Sequence, residues 1–301
     1  MRVGLTGASG LLGRALAAAL SERGDEVVVL ARPGSTPSSH STLGWDPVRR
    51  AIAPEDAWRL GQLDAVVNLA GAGIGDRRWS LARRREIRDS RLTVTRFLAE
   101  LLARAGARSH LVSASAIGYY GSRGDETLDE DSAPGEGFLA DVCVSWEDAA
   151  SGYAVAGGEV TALRTGVVLD ARGGALARQL PLFRRGLGGR LGPGTQWVSP
   201  ISLDDHVRAT LFALDRRLTG ALNLVAPSPT TNAGLTRALA RALRRPDRVT
   251  VPSSALRLAL GREMADELVL ASQRVVPHRL LAAGFTFEHA TVDEIVRAAL
   301  D

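Results

Sequence analysis

Three signals in this 301-residue chain predict a doubly wound α/β protein. Short apolar runs recur at regular spacing, amphipathic helical patterns lie between them, and the first run ends in Gly7, Gly10 and Gly13 just before a helical pattern. Strands alternating with helices in this way call for a parallel sheet covered on both faces. Hydrophobic residues make up 45% of the chain, which is ample for a core.

Residues 3–6 read as a buried strand, 11–23 as an amphipathic helix and 26–31 as a second strand, together one βαβ unit. A polar loop over 33–40 leads to a short strand near 42–45. The run DAVVNLA over 64–70 is a buried strand ending at Gly71 and Gly73. A long helix follows over 80–105, with Ser80 as its N-cap and Gly106 as its stop. Strands over 110–114 and 159–169 flank a helix over 141–155, so residues 1–170 predict a Rossmann-type domain. Beyond Asp170 the chain turns glycine-rich over 173–194, a stretch read as loop. A helix near 204 with Asp204 as N-cap, helices over 231–243 and 292–300, and a short strand over 248–251 suit a smaller mixed lid over 171–301. Its last part begins near 249, and a strand from 220–225 is a candidate addition to the sheet.

The net charge is +4 and the isoelectric point near 10.1, yet basic residues are interleaved with 33 acidic ones rather than gathered in a tract. The densest cluster, Arg83–Arg85 with Arg88 and Arg91, also carries Glu86 and Asp89, as a solvated helix face does. Nucleic acid is therefore not an expected partner, and no apolar stretch approaches the roughly 20 residues of a membrane span. A small-molecule substrate is expected, without membrane or metal, and oligomeric state is not legible. None of the 37 cationic side chains is lysine, so every cation is a guanidinium that does not titrate near neutral pH. The single cysteine, Cys143, precludes an internal disulfide. Together with a start that runs straight into the first strand, it makes the cytoplasm the expected location.

The glycine spacing is that of a dinucleotide-binding turn. The first glycine reverses the chain, the second lets backbone approach a pyrophosphate, and the third packs the helix on the sheet. The N–H groups of Ser9, Gly10, Leu11 and Leu12 then face phosphate at a positive helix end. An acidic residue after the second strand would bind the ribose hydroxyls of NAD, but Arg32 stands there. A guanidinium suits a 2′-phosphate, so the expected cofactor is NADP; a plain surface arginine is the alternative. Asn68, Leu69, Ala70 and Gly71 end a later strand, where small residues let a cofactor pass. Asn68 serves equally as a buried tie between strands.

With these motifs assembled, the chain resembles the short-chain dehydrogenase/reductase superfamily, in its atypical epimerase-like branch of NADP-binding proteins. The resemblance spans nearly the whole chain: NLAGAGI at 68–74, RRW at 77–79, Ser90-Arg91, GYYG at 118–121, C-x-x-WE at 143–147, LRTGVVL at 163–169 and GLGG at 186–189. The segments VPSSALRLALG and QRVVPHRLLAAGF look like the small domain of unknown function that ends such proteins. The resemblance implies an NADP site of Gly7, Gly10, Gly13 and Arg32, with Leu69 and Ala70 under the adenine side. It also implies Glu86 and Arg91 near the ribose and phosphates, and the backbone around Val168 near the nicotinamide. A surface ion pair is the simpler reading of Glu86 and Arg91, although their separation of five puts them off a common helix face.

The wider superfamily transfers a proton through a Tyr-x-x-x-Lys pair, whose lysine lowers the tyrosine pKa from its ordinary value near 10. Matching the Trp146-Glu147 helix to extended members puts Leu139 at the tyrosine position and Cys143 at the lysine position. The candidates left for the chemistry are Ser113 or Ser115, the Tyr119-Tyr120 pair and Cys143, each with a packing role as its alternative. The branch typically reads Ser-Trp-Ile-His before its paired acids, whereas this chain reads Ser199-Pro200-Ile201-Ser202. Arg164, Arg184, Arg185 and Arg190 are candidates for an anionic substrate group. The expected function is an NADP(H)-dependent oxidoreductase or epimerase-like enzyme for a small carbonyl or sugar-like substrate. The alternative is a catalytically silent NADP-binding sensor.

Overall fold

The computed structural model describes residues 1–35, 38–106 and 108–301. The opening unit is β1 (Arg2–Thr6), α1 (Leu11–Glu22) and β2 (Glu26–Ala31), its strands parallel with Arg2 opposite Glu26. The loop expected over 33–40 includes Thr36 and Pro37, which lie outside the described residues. β3 (Ser41–Asp46) pairs with β2, and the short antiparallel β4 (Ala51–Ile52) ends that edge. α2 (Pro54–Leu60) starts on a proline, whose missing N–H would have had no helical partner there. β5 (Ala65–Asn68), α3 (Leu81–Arg104), β6 (His110–Ala116), the outlying β7 (Thr127–Leu128), α4 (Phe138–Val155) and β8 (Val160–Thr165) build the other half.

The chain then leaves the sheet through β9 (Val167–Leu169), α5 (Gly174–Arg184), β10 (Gly189–Leu191), β11 (Trp197–Val198) and β12 (Pro200–Ser202). It returns through α6 (Leu203–Asp215) and β13 (Gly220–Leu224), so the expected extra strand joins the sheet beside β8. The remainder is β14 (Thr230–Thr231), α7 (Asn232–Ala242), β15 (Val249–Val251), α8 (Ser253–Leu260), α9 (Arg262–Leu268), β16 (Arg274–Val275), α10 (His278–Ala282) and α11 (Val292–Leu300).

The eight-stranded order is β13-β8-β6-β5-β1-β2-β3-β4. Side chains alternate across a strand, so Val27 and Val29 join α1 and α6 on one face while Val28 and Leu30 join α3 and α4 on the other. This is the doubly wound arrangement that the alternating pattern predicts.

Four local expectations are corrected. α4 begins at Phe138 rather than Asp141, because the Glu267 carboxylate accepts the free N–H groups of Phe138 and Leu139 at 3.0 and 2.8 Å. The strand expected over 159–169 splits at Gly166, where a Cβ would lie 2.3 Å from the Ser199 carbonyl oxygen. The glycine-rich stretch contains α5, which buries Leu176, Leu180 and Phe183. The N-cap of α6 is Ser202, whose Oγ accepts the Asp205 N–H at 3.1 Å, and Asp204 sits inside the first turn.

Candidate cofactor and reaction site

The crevice begins at the glycine turn. Gly7 has φ +70°, and a Cβ there would lie 2.7 Å from the Leu69 carbonyl oxygen, so the turn is pressed against the end of β5. At Gly13 a Cβ would meet the Gly7 carbonyl oxygen at 2.2 Å, which demands glycine for helix packing. Gly10 differs: the nearest atom to its Cβ position is 3.4 Å away, an ordinary contact, and the residue is exposed. The protein itself does not require glycine at 10, whereas a ligand lying on the backbone does. α1 carries neither a side-chain cap nor an acidic first-turn residue, so its leading N–H groups point out unneutralised. Ser9 is exposed with its carbonyl held by Arg14, and Leu11 and Leu12 pack on the core edge.

Arg32 is exposed, and its backbone N–H donates to Ser35 Oγ at 3.0 Å. Its side chain borders a cleft of about 510 Å³ shared with Pro33, Gly44, Trp45 and Ile52. On the far wall, Ala70 N–H donates to Thr6 Oγ1 at 3.2 Å, and Gly71 lies against the Arg91 guanidinium, 3.1 Å from where its Cβ would be. Arg91 donates to the carbonyls of Ala72 and Ile87 and stacks 4.9 Å from the Trp146 ring centroid. It has no carboxylate partner among the described residues, and burial lowers its pKa. Such a cation is one that a phosphate would neutralise. Glu86 is paired instead: hydrogen bonds from Arg83 and Arg77 hold its carboxylate below the usual range. Asn68 takes the tying role, accepting from Thr6 Oγ1 at 2.7 Å and donating to Thr95 and Ser113 at 2.8 and 3.2 Å. Ser113 Oγ thus accepts one bond from Asn68. Val168 lies half-buried on β9, opposite Ile201 of β12.

The candidate reaction end is organised around an ion pair between the buried Arg164 and the half-buried Glu147. Arg164 donates to both oxygens of Glu147 at 2.9 Å, and Ser115 Oγ donates to Glu147 Oε1 at 2.7 Å. Burial opposes the Arg164 charge, but the bonds to Glu147 outweigh it and raise the pKa above the ordinary guanidinium value. Arg164 is therefore already committed to Glu147. Tyr120 is fully buried, donates to Asn223 Oδ1 at 2.7 Å and accepts from Arg164 at 3.0 Å; burial pushes its pKa up to about 12. Tyr119 stacks under Arg164 at 3.5 Å, and its hydroxyl makes no hydrogen bond among the described residues. Cys143 is buried, and that burial pushes its thiol up to about 12. Leu139 and Cys143 face Gly118, with Leu139 Cβ and Cys143 Sγ at 3.4 and 3.6 Å from its Cβ position, so the two substituted positions meet the turn after β6.

Arg184 and Arg185 are not brought to the glycine turn, and Arg190 is exposed on β10. α5 touches the turn at its start, where Gly173 lies against Leu11, and its 11 residues carry Arg184 and Arg185 about 16 Å away. The bond from Ser115 to Glu147 and the partners Asn223 and Glu267 escape the sequence reading, because each contact spans 32 or more residues.

Residues 3–224 match the NAD dependent epimerase/dehydratase family, and 251–299 match a domain of unknown function, DUF1731. An epimerase family protein of Mycobacterium bovis is 45% identical over 97% of this chain and 95% of its own length. The crystal structure of human epimerase family protein SDR39U1 (isoform 2) with NADPH matches with a TM-score of 0.89, 32% identity and full coverage of both chains. A nucleoside-diphosphate sugar epimerase from Corynebacterium glutamicum matches at 36% identity and a TM-score of 0.79, across all of this chain and 58% of that one. Coverage, identity and the glycine-turn geometry agree: this chain belongs to the NAD dependent epimerase/dehydratase family.

Proposed function

We propose that the chain is an NADP(H)-dependent oxidoreductase or epimerase-like enzyme acting on a small carbonyl or sugar-like substrate. The carrying observation is the pair formed by an open Gly10 backbone at the start of α1 and an exposed Arg32 after β2 that has no carboxylate partner among the described residues, in a fold whose human relative was crystallised with NADPH. Gly7, Ser9, Gly10, Leu11, Leu12 and Gly13 would hold the pyrophosphate on backbone amides, Arg32 the 2′-phosphate, and Arg91 a further phosphate oxygen. Leu69, Ala70 and Gly71 would line the adenosine side and Val168 the nicotinamide side, while Glu86 keeps its arginines in place beside the ribose. When bound, the nicotinamide supplies hydride exchange at a substrate carbon.

For the proton, the geometry favours Tyr119, whose hydroxyl makes no hydrogen bond among the described residues and whose ring is fixed by Arg164. Tyr120 and Cys143 take packing roles, and Ser115 orients a substrate oxygen from its bond to Glu147. One observation favours the second reading, a silent NADP-binding sensor. Leu139 and Cys143 replace the usual proton-transfer pair, and the thiol pKa is pushed up to about 12.

Rapid mixing of the NADPH-loaded protein with aldehydes, ketones and nucleotide sugars separates the two. Coenzyme oxidation by any member supports the enzyme, and tight binding without turnover across the panel supports the sensor. Arg32→Ala should weaken NADPH by about 10–100-fold while leaving NADH nearly unchanged, since only NADPH carries the 2′-phosphate. Equal losses for both coenzymes would remove the cofactor assignment.

A further inference from the structure

We propose that the face formed by the C-terminal end of α5 and the 244–250 segment docks on an anionic lipid bilayer. The segments 182–192 and 243–250 contain six arginines and a single carboxylate, Asp247. They are far apart in sequence, but parallel pairing of β10 with β15 sets Gly189 beside Val249 and Arg190 beside Thr250. Pro246 lies 3.7 Å from the Cβ position of Gly186, which closes the two segments into one surface. From the first segment come Arg184, Arg185 and Arg190; from the second come Arg244, Arg245 and Arg248, and all are exposed. None of them forms an ion pair among the described residues, whereas the flanking Arg178 and Arg241 are paired with Asp76 and Asp293.

Two exposed apolar side chains lie in the first of these segments, next to its arginines. Leu182 is 48% exposed and Leu187 57% exposed, and the Leu187 N–H donates to the Leu182 carbonyl at 2.9 Å, which holds the pair together. Guanidinium groups are drawn to a negatively charged lipid surface, and leucines gain by entering the boundary between headgroups and acyl chains. Each attraction alone is weak, and the combination makes a stable peripheral contact. Nucleic acid would use the same cations but leave both leucines facing water, and the two segments present no exposed aromatic side chain on which a base could stack. The face lies at the opposite end of α5 from the Gly173–Leu11 contact, so docking leaves the nucleotide crevice open. It departs from the expectation of a protein without a membrane partner, which rests on the lack of an apolar stretch long enough to span a bilayer.

The test is co-sedimentation of the full chain with phosphatidylcholine vesicles, with and without phosphatidylglycerol. Binding should require phosphatidylglycerol and disappear at high salt, where screening shortens the reach of the charges. Combined Arg184→Glu, Arg185→Glu and Arg248→Glu should weaken it by at least about tenfold. Leu182→Ser with Leu187→Ser should weaken it by about tenfold at unchanged charge. Unaltered NADPH binding in both variants confirms that they fold. Failure of the parent chain to pellet with anionic vesicles, or equal pelleting of either variant, overturns the proposal. Binding to a DNA duplex that survives the leucine changes, without vesicle binding, overturns it in favour of nucleic acid.

Discussion

The two ends of the crevice are built from different materials. At the proposed cofactor end the groups left open are a glycine turn, bare helix amides and two arginines, Arg32 and Arg91, without carboxylates among the described residues. At the reaction end nearly every polar side chain is already spoken for. Ser115, Glu147, Arg164, Tyr120 and Asn223 form one chain of hydrogen bonds, and Leu139 and Cys143 lie against Gly118. The contrast teaches that a chain path can leave backbone and cations open at one end of a crevice while hydrogen bonding consumes the polar side chains at the other.

The largest expected effect breaks the reaction end alone. Glu147→Gln leaves the buried Arg164 guanidinium without its anion and should cost about 3–5 kcal/mol of stability in urea unfolding. NADPH affinity at the other end should change less than about twofold, because separated sites act independently. A comparable loss at both ends would mean that they are one cooperative unit.

The next effect is a pH dependence from His206, which is buried against Thr165 at 3.1 Å and whose pKa burial lowers from 6.5 to about 4. The unfolded chain takes up its proton below pH 6.5, but the folded chain resists until about pH 4. The contribution is therefore complete above pH 6.5 and lost progressively down to pH 4, by up to about 3 kcal/mol. His206→Gln should flatten this slope in unfolding midpoints measured across that range; an unchanged slope would place its origin elsewhere.

The smallest effects sharpen the cofactor end. Gly13→Ala drives a Cβ into the Gly7 carbonyl and should cost about 1–3 kcal/mol of stability. Gly10→Ala meets only an ordinary contact and should cost about 1 kcal/mol or less, yet weaken NADPH by at least about tenfold. Titration of coenzyme fluorescence beside thermal unfolding distinguishes a glycine needed by the fold from one needed by the ligand. If Gly10→Ala leaves NADPH affinity intact, the phosphates do not lie over this turn.

Local chemistry made much of this protein legible in its sequence. The βαβ unit, the long helix capped by Ser80, the glycine turn and the parallel sheet all follow from apolar periodicity and from residues with special backbone freedom, because those effects act within a few positions. What only the tertiary structure decided depends on neighbours distant in the chain. Glu267 extends α4 by a turn, Asn223 and Arg164 occupy Tyr120, and β10 with β15 draws two scattered arginine groups into one surface without ion pairs among the described residues. Burial and charge pairing are properties of a side chain's full surroundings, and periodicity along a strand or helix specifies only which face a residue joins.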